Sequence, residues 1–371
     1  MSAPDIGARE RELVLDVLSS GTLSGGPYTR RFEQMFEQYL RVPHAIAVSS
    51  GTAGLHTCVV AAGLQPGDEV VTTPFSFVAS ANCILFERAV PVFADIDAIT
   101  LNIDPRELEA RITGRTKAIV VVHVFGQPVD MDPVLAIARR RGLFVIEDAC
   151  EAFGAEYQGH RTGTLGDAAV FGFYPNKQIT TGEGGVVVTP HDGIAASVRA
   201  LRNQGREPGD LWLEHSRLGF NYRLSELHAA IGVAQLERAD ALLANRARVA
   251  AMYTDRLAAS HDVEVPAVAP ETTRMSWFVY VIRLRHAIDR DAVIRHLQER
   301  GIPARPYFPP IHLQRYFRER FGYAPGMYPI AEREAARTIA LPFHGGLSEE
   351  QVDFVCSQLG QVVREAAGSR P

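Results

Sequence analysis

Lys177 is the one cation in the stretch GDAAVFGFYPNKQITTGEGGVVVT, Gly166 to Thr189. A lysine kept from water loses part of its preference for the charged form and becomes a usable amine nucleophile, able to form a Schiff base. A loop lysine is more often simply solvated, because lysine is rarely buried without a partner. Which reading holds depends on what the rest of the chain brings to this amine.

Three other stretches carry chemistry. In Val48–Ser49–Ser50–Gly51–Thr52 an apolar run becomes a helix through small residues, and the N–H groups freed at a helix start, with the helix dipole, form an anion site. The same residues also read as an ordinary N-cap. In Phe144–Val145–Ile146–Glu147–Asp148–Ala149 an apolar strand ends on two carboxylates that alternation points to opposite sides. Asp148 there suits a protonated ring nitrogen, or equally a cap on the next segment. Thr73–Pro74–Phe75–Ser76–Phe77 delivers aromatic rings at a third strand end, where Phe77 stacks on a flat ligand or joins the core. Anion cradle, ring platform, strand-end carboxylate and amine together meet the requirements of pyridoxal phosphate.

The elements that must position these groups follow from periodicity and punctuation. Helices are expected at Ile6 to Leu18 and Tyr28 to Leu40. Strand and helix then alternate: strand Ala45 to Val48, helix Thr52 to Ala62, strand Glu69 to Thr72, helix Ser76 to Glu87, strand Val90 to Ala94. A helix opens at Asp104–Pro105–Arg106–Glu107 with a cap, a proline at its first position and a capping-box glutamate. Strand Ala118 to Val124, helix Asp132 to Arg141 and strand Leu143 to Ile146 follow. Lys177 then sits between two strands, in a loop constrained by Pro175 and by Gly182, Gly184 and Gly185. Such alternation predicts an α/β fold with a mostly parallel sheet, its ligands outside the carboxyl ends of the strands.

With 371 residues, 46% hydrophobic and 22% charged, the chain has material for a large domain and a smaller one. A net charge of −5 gives no electrostatic reason to expect nucleic acid. The four cysteines lack CxxC spacing, so neither a disulfide framework nor a metal site is expected. No apolar run is long enough for a membrane span and the first residues lack a secretion pattern, which makes the cytoplasm the expected location.

Ser50–Gly51–Thr52, Glu147–Asp148–Ala149, Lys177 followed by QITTGEGG, and Gly219–Phe220–Asn221–Tyr222–Arg223, in that order, resemble the DegT/DnrJ/EryC1/StrS family of sugar aminotransferases. The resemblance runs from Gly25 to Pro342. It implies the type I, aspartate-aminotransferase-like fold, with an amino-terminal arm and large domain over 1–246 and a small α/β domain over 247–371. It also implies a homodimer with shared active sites. Lys177 is then the Schiff-base lysine and the acid/base of the proton shift, and Asp148 the partner of the ring nitrogen. Phe77 stacks on the ring, Gly51 and Thr52 hold the phosphate, and Asn221 reaches the phosphate of the neighbouring subunit. The implied reaction moves an amino group from glutamate to a keto group of a nucleotide-linked deoxy sugar, with Arg223, Arg305 and His312 as candidate substrate contacts. Two positions depart from the pattern. Gly172 stands where many members have a phosphate-binding serine. Glu151 stands where glutamine or histidine is common near the cofactor's phenolic oxygen, and a carboxylate there must be protonated or turned away. A related dehydratase branch replaces the lysine with histidine, which Lys177 argues against. A noncatalytic regulator would not need the Lys177–Asp148 pair.

Overall fold

Alternating side chains on the strands serve two different helical layers. In strand β1 (His44–Val48), Ala45 and Ala47 pack into one apolar cluster, while Ile46 and Val48 pack into another on the opposite face. The computed structural model describes residues 2–285 and 288–368. Strands β2 (Glu69–Thr72), β3 (Val90–Phe93), β4 (Thr116–Val122) and β5 (Phe144–Asp148) follow. The short β6 (Glu156–Tyr157) and β7 (His160–Arg161) precede a hairpin of β8 (Ala168–Gly172) and β9 (Gly185–Thr189). The main sheet has seven strands in the order β1-β9-β8-β5-β4-β2-β3. Only β9 runs against the rest, because it returns from β8 through the lysine loop.

Helices α1 (Ala8–Ser20) and α2 (Pro27–Leu40) cover one face together with later helices. On the other face lie α3 (Gly51–Ala61) and α4 (Ala79–Phe86). Helices α5 (Pro105–Ala110) and α6 (Met131–Arg141) connect the outer strands, and α7 (Asp192–Arg202) follows β9. Helix α8 (Glu226–Glu237) ends at Arg238, and α9 (Ala239–Leu257) continues the chain. Leu242 and Leu243 of α9 belong to the main core, whereas Val249 to Leu257 belong to another. That second core backs the antiparallel sheet β10-β12-β13, formed by β10 (Val263–Glu264), β12 (Tyr280–Leu284) and β13 (Thr338–Leu341), while β11 (Thr272–Arg274) pairs with β6. Helices α10 (Arg290–Glu299) and α13 (Glu349–Gly368) pack on this sheet, and the shorter α11 (Arg315–Phe321) and α12 (Pro329–Ala335) lie between. Among the described residues, no helix is long and apolar enough to cross a membrane.

Side chains cap α13 and α5, the latter only partly as expected. Ser348 and Gln351 exchange hydrogen bonds at the start of α13. Asp104 caps α5 by accepting the Arg106 N–H, but the Asp104 N–H goes to the Asp95 carbonyl, so no glutamate reaches back to it. One expected strand ends earlier. The one read through Val124 stops at Val122, because Val124 to Gly126 form a tight turn with Phe125 at φ 58. Strand β12 begins at Tyr280, after the Trp277 and Phe278 carbonyls that Arg246 takes. Helix α4 starts three residues later than expected, at Ala79, after a turn that includes Phe77.

Candidate active site

The carboxyl ends of β2, β4, β5 and β8 open onto a cavity of about 450 Å³. Its floor is the start of α3. Ser50 caps that helix: its Oγ accepts the Ala53 N–H at 3.1 Å, and its carbonyl takes the Gly54 N–H. The N–H groups of Gly51 and Thr52 have no intrahelical acceptor, which leaves them for an anion. Both residues line the cavity. A Cβ on Gly51 would stand 2.8 Å from the Cys150 sulfur, and one on Gly172 would stand 3.2 Å from it. Cys150 therefore fills the space into which a longer residue at 172 would project.

The two strand-end carboxylates point opposite ways, as alternation requires. Asp148 turns to the cavity and accepts from Ser80 Oγ at 2.7 Å and from the Cys150 N–H at 3.2 Å. Glu147 turns inward, fully buried, and accepts from His123 Nε2 at 2.9 Å and from the N–H groups of Gly163, Leu165 and Gly166. The Val129 N–H donates to His123 Nδ1, so the ring proton sits on Nε2. Burial pushes the Glu147 carboxyl up, but the His123 hydrogen bond and the backbone donors outweigh it and hold the group below the usual range.

Lys177 reaches in from the β8–β9 loop. Its Nζ lies 3.8 Å from Glu151 Oε1 and 3.9 Å from the centre of the Phe278 ring. The loop is held from behind by Arg246, whose guanidinium donates to the carbonyls of Asn176, Lys177, Trp277 and Phe278. Burial lowers this arginine to about 10. Phe77 lines the cavity with 60% of its surface open. Asn176 also lines it, and its Oδ1 is a buried acceptor with no partner. Tyr307 and Phe308 close the far side.

Of the residues singled out from sequence, the structure thus gathers Gly51, Thr52, Phe77, Asp148, Glu151 and Lys177 around one cavity. Four others lie elsewhere in the chain. Asn221 is exposed, its backbone bridged to Asn203. Arg223 bonds the Asn203 side chain at 3.1 Å and lines a separate groove with Arg199, Arg202 and Arg206. Arg305 is exposed, and the one hydrogen bond of its side chain goes to the Ala304 carbonyl. His312 corrects an expectation: it is fully buried among Phe93, Tyr323 and Tyr328, and its Nε2 faces Glu332 at 3.0 Å. It packs in the core and is not among the residues that line the cavity. Sequence reading missed Ser80, Cys150, Phe278, Tyr307 and Arg246. Only Ser80 left a local trace, one helical turn after Ser76.

A doubly covered α/β sheet with an amine, a carboxylate and a helix start at its strand ends has the arrangement in which α/β enzymes bind their ligands. The sequence profile of the DegT/DnrJ/EryC1/StrS aminotransferase family matches residues 4–360, and the chain belongs to that family. It is an aminotransferase. It is 44% identical over 368 residues to the GDP-perosamine synthase of Caulobacter vibrioides, covering 98% of each chain. It is 37% identical to the spore coat polysaccharide biosynthesis protein SpsC of Bacillus subtilis, covering 98% of this chain and 97% of that one. Among solved structures it resembles Helicobacter pylori PseC, an aminotransferase involved in the biosynthesis of pseudoaminic acid. The TM-score is 0.93 at 30% identity, with 98% of each chain covered.

Proposed function

We propose that this chain is a pyridoxal-phosphate-dependent aminotransferase that transfers an amino group from L-glutamate to a keto group of a nucleotide-linked deoxy sugar. The observation that carries the reading is the convergence of Lys177 Nζ, the Asp148 carboxylate and the free N–H groups of Gly51 and Thr52 on one cavity. The cavity fits the cofactor. Its helix start suits a phosphate, its orphaned Asn176 Oδ1 offers an acceptor, and its strand-end carboxylate suits a protonated ring nitrogen. The likeness to GDP-perosamine synthase supports a sugar nucleotide as amino acceptor.

Pyridoxal phosphate, when bound, supplies an aldehyde for the amino group and a ring that withdraws electrons from the reacting carbon. The protein supplies the rest. Gly51 and Thr52 anchor the anionic end. Asp148, oriented by Ser80 and the Cys150 N–H, holds the proton on the ring nitrogen. Lys177 is nucleophile first and proton carrier afterwards, because its flexible stem lets one amine serve both tasks. Phe77 covers a ring face. The active form is a homodimer in which Asn221 of one subunit serves the phosphate of the other, and Arg223 and Arg305 are substrate contacts only in that assembly.

The test is an assay of keto-sugar nucleotides with glutamate, run beside Lys177→Ala. The wild type should aminate at least one member of the panel and, on borohydride reduction, give a stable cofactor–lysine adduct, and the variant should do neither. Turnover by Lys177→Ala near the wild-type rate would remove the central assignment.

A further inference from the structure

Glu151 is a carboxylate that cannot turn away. Its Oε2 accepts the Phe125 N–H at 2.9 Å, from a turn residue in the left-handed region. Its backbone carbonyl accepts Gln178 Nε2 at 2.6 Å, and a Cβ on Gly126 would press within 3.0 Å of that carbonyl. The Phe125 N–H thus fixes one oxygen of the side chain, and Gln178 fixes the main chain that carries it. What remains is Oε1, 3.8 Å from Lys177 Nζ. The apolar wall of Phe278 lies on the amine at a similar distance, so water has little room to screen the pair.

We propose that Glu151 is the proton partner of Lys177: ionised, it holds the amine as ammonium, and the amine becomes nucleophilic when that proton passes to Oε1. In the step one N–H bond of the ammonium breaks, one O–H bond forms, and the pair goes from ion pair to two neutral groups. The flexible lysine stem provides the closer approach that transfer needs. Burial raises the Glu151 carboxyl to about 7, against the lowering effects of Lys177 and the Phe125 N–H and with a smaller rise from Asp148. Such a carboxyl takes a proton near neutrality, where an ordinary glutamate would not. The titratable groups facing the pair are Asp148, Cys150 and Tyr307. Burial, first of all, pushes up both the cysteine and the tyrosine, so Asp148 is the other carboxylate in play. Arg246 spends its donors on four carbonyls behind the loop.

This inference rests on the pyridoxal phosphate reading, and its test separates the two. Glu151→Gln keeps an oxygen for the Phe125 N–H and removes only the charge. In full-length protein loaded with pyridoxal phosphate, the readout is the pH midpoint of the visible absorption of the lysine-bound cofactor. In the cofactor-free chain, it is the pH dependence of pyridoxal addition to Lys177, trapped with borohydride. Removing a negative charge beside a cationic nitrogen lowers its pKa, so both midpoints should fall by about one unit in the variant, a tenfold gain in free amine below the midpoint. Glu151→Asp, with its charge drawn back by one methylene, should shift the same way by less, and it serves if the glutamine variant fails to fold. Profiles that superimpose on wild type overturn the assignment and leave Glu151 a brace for the Phe125 turn. A wild type without any lysine-bound absorption overturns the cofactor reading instead.

Discussion

Asp148 and Ser80 show how little at the residue scale separates a strand-end cap from a carboxylate turned to a cavity. Asp148 does meet the Cys150 N–H two residues on, as a cap would, yet its other oxygen is held by Ser80 Oγ and turned to the cavity. Asp148→Asn should therefore keep the fold, since Ser80 still finds an acceptor. It should lower kcat by about 100-fold or more, roughly 2.7 kcal/mol, because a neutral amide does not hold a proton on a ring nitrogen. A kcat within about twofold of wild type would assign that role to another group. Gly172 carries a second prediction. A side chain there would crowd Cys150 at 3.2 Å, so Gly172→Ser alone should destabilise by about 1–3 kcal/mol. Adding Cys150→Ala should recover most of that loss, and urea denaturation of the two singles and the double measures the coupling.

At the scale of elements, two buried polar groups hold the site's strands and loops together. Glu147 ties β5 to the turn at 163–166 and, through His123, to the end of β4. Glu147→Gln would set an amide donor against backbone donors and should cost about 2–4 kcal/mol in urea denaturation at neutral pH. The carboxyl is held below its usual range, so its contribution is complete above the ordinary glutamate range and is lost as pH falls through the lower folded value. The gap between wild type and variant should therefore narrow in acid; a gap that widened would contradict the assignment. Legibility follows the same division. The sheet, the β8–β9 hairpin and the opposite facing of Glu147 and Asp148 were readable, because period-two alternation and glycine or proline punctuation are local signals. Phe278, Tyr307 and Arg246 were not, since they meet Lys177 only through tertiary packing, across the remainder of the chain. His312 was named from the family resemblance, and only the fold reveals the aromatic cluster that encloses it.

At the scale of the whole molecule, the segment before Asn221 carries apolar side chains open to solvent. Leu211, Trp212, Leu213 and Leu218 are 76%, 84%, 66% and 85% exposed, and a cluster of that kind marks an interaction surface. Asn221 follows it closely. The Tyr222 carbonyl accepts the Ser49 N–H at 2.8 Å, so this segment passes beside the chain's own anion cradle, yet Asn221 is exposed and outside the cavity. Two geometries are thus distinguishable: Asn221 serves its own chain after a local movement, or it serves a partner packed over the apolar cluster. We expect the second. Lys177→Ala and Asn221→Ala subunits, each weak at limiting cofactor, are allowed to exchange and are assayed together. In a two-fold dimer every mixed pair contains one composite site with an intact Lys177 and the intact Asn221 of the other chain. Random mixing makes about half of the dimers mixed, so roughly a quarter of all sites should regain activity. If Asn221 served its own chain, each site would still lack one of the two residues after exchange, and activity would stay flat at every mixing ratio.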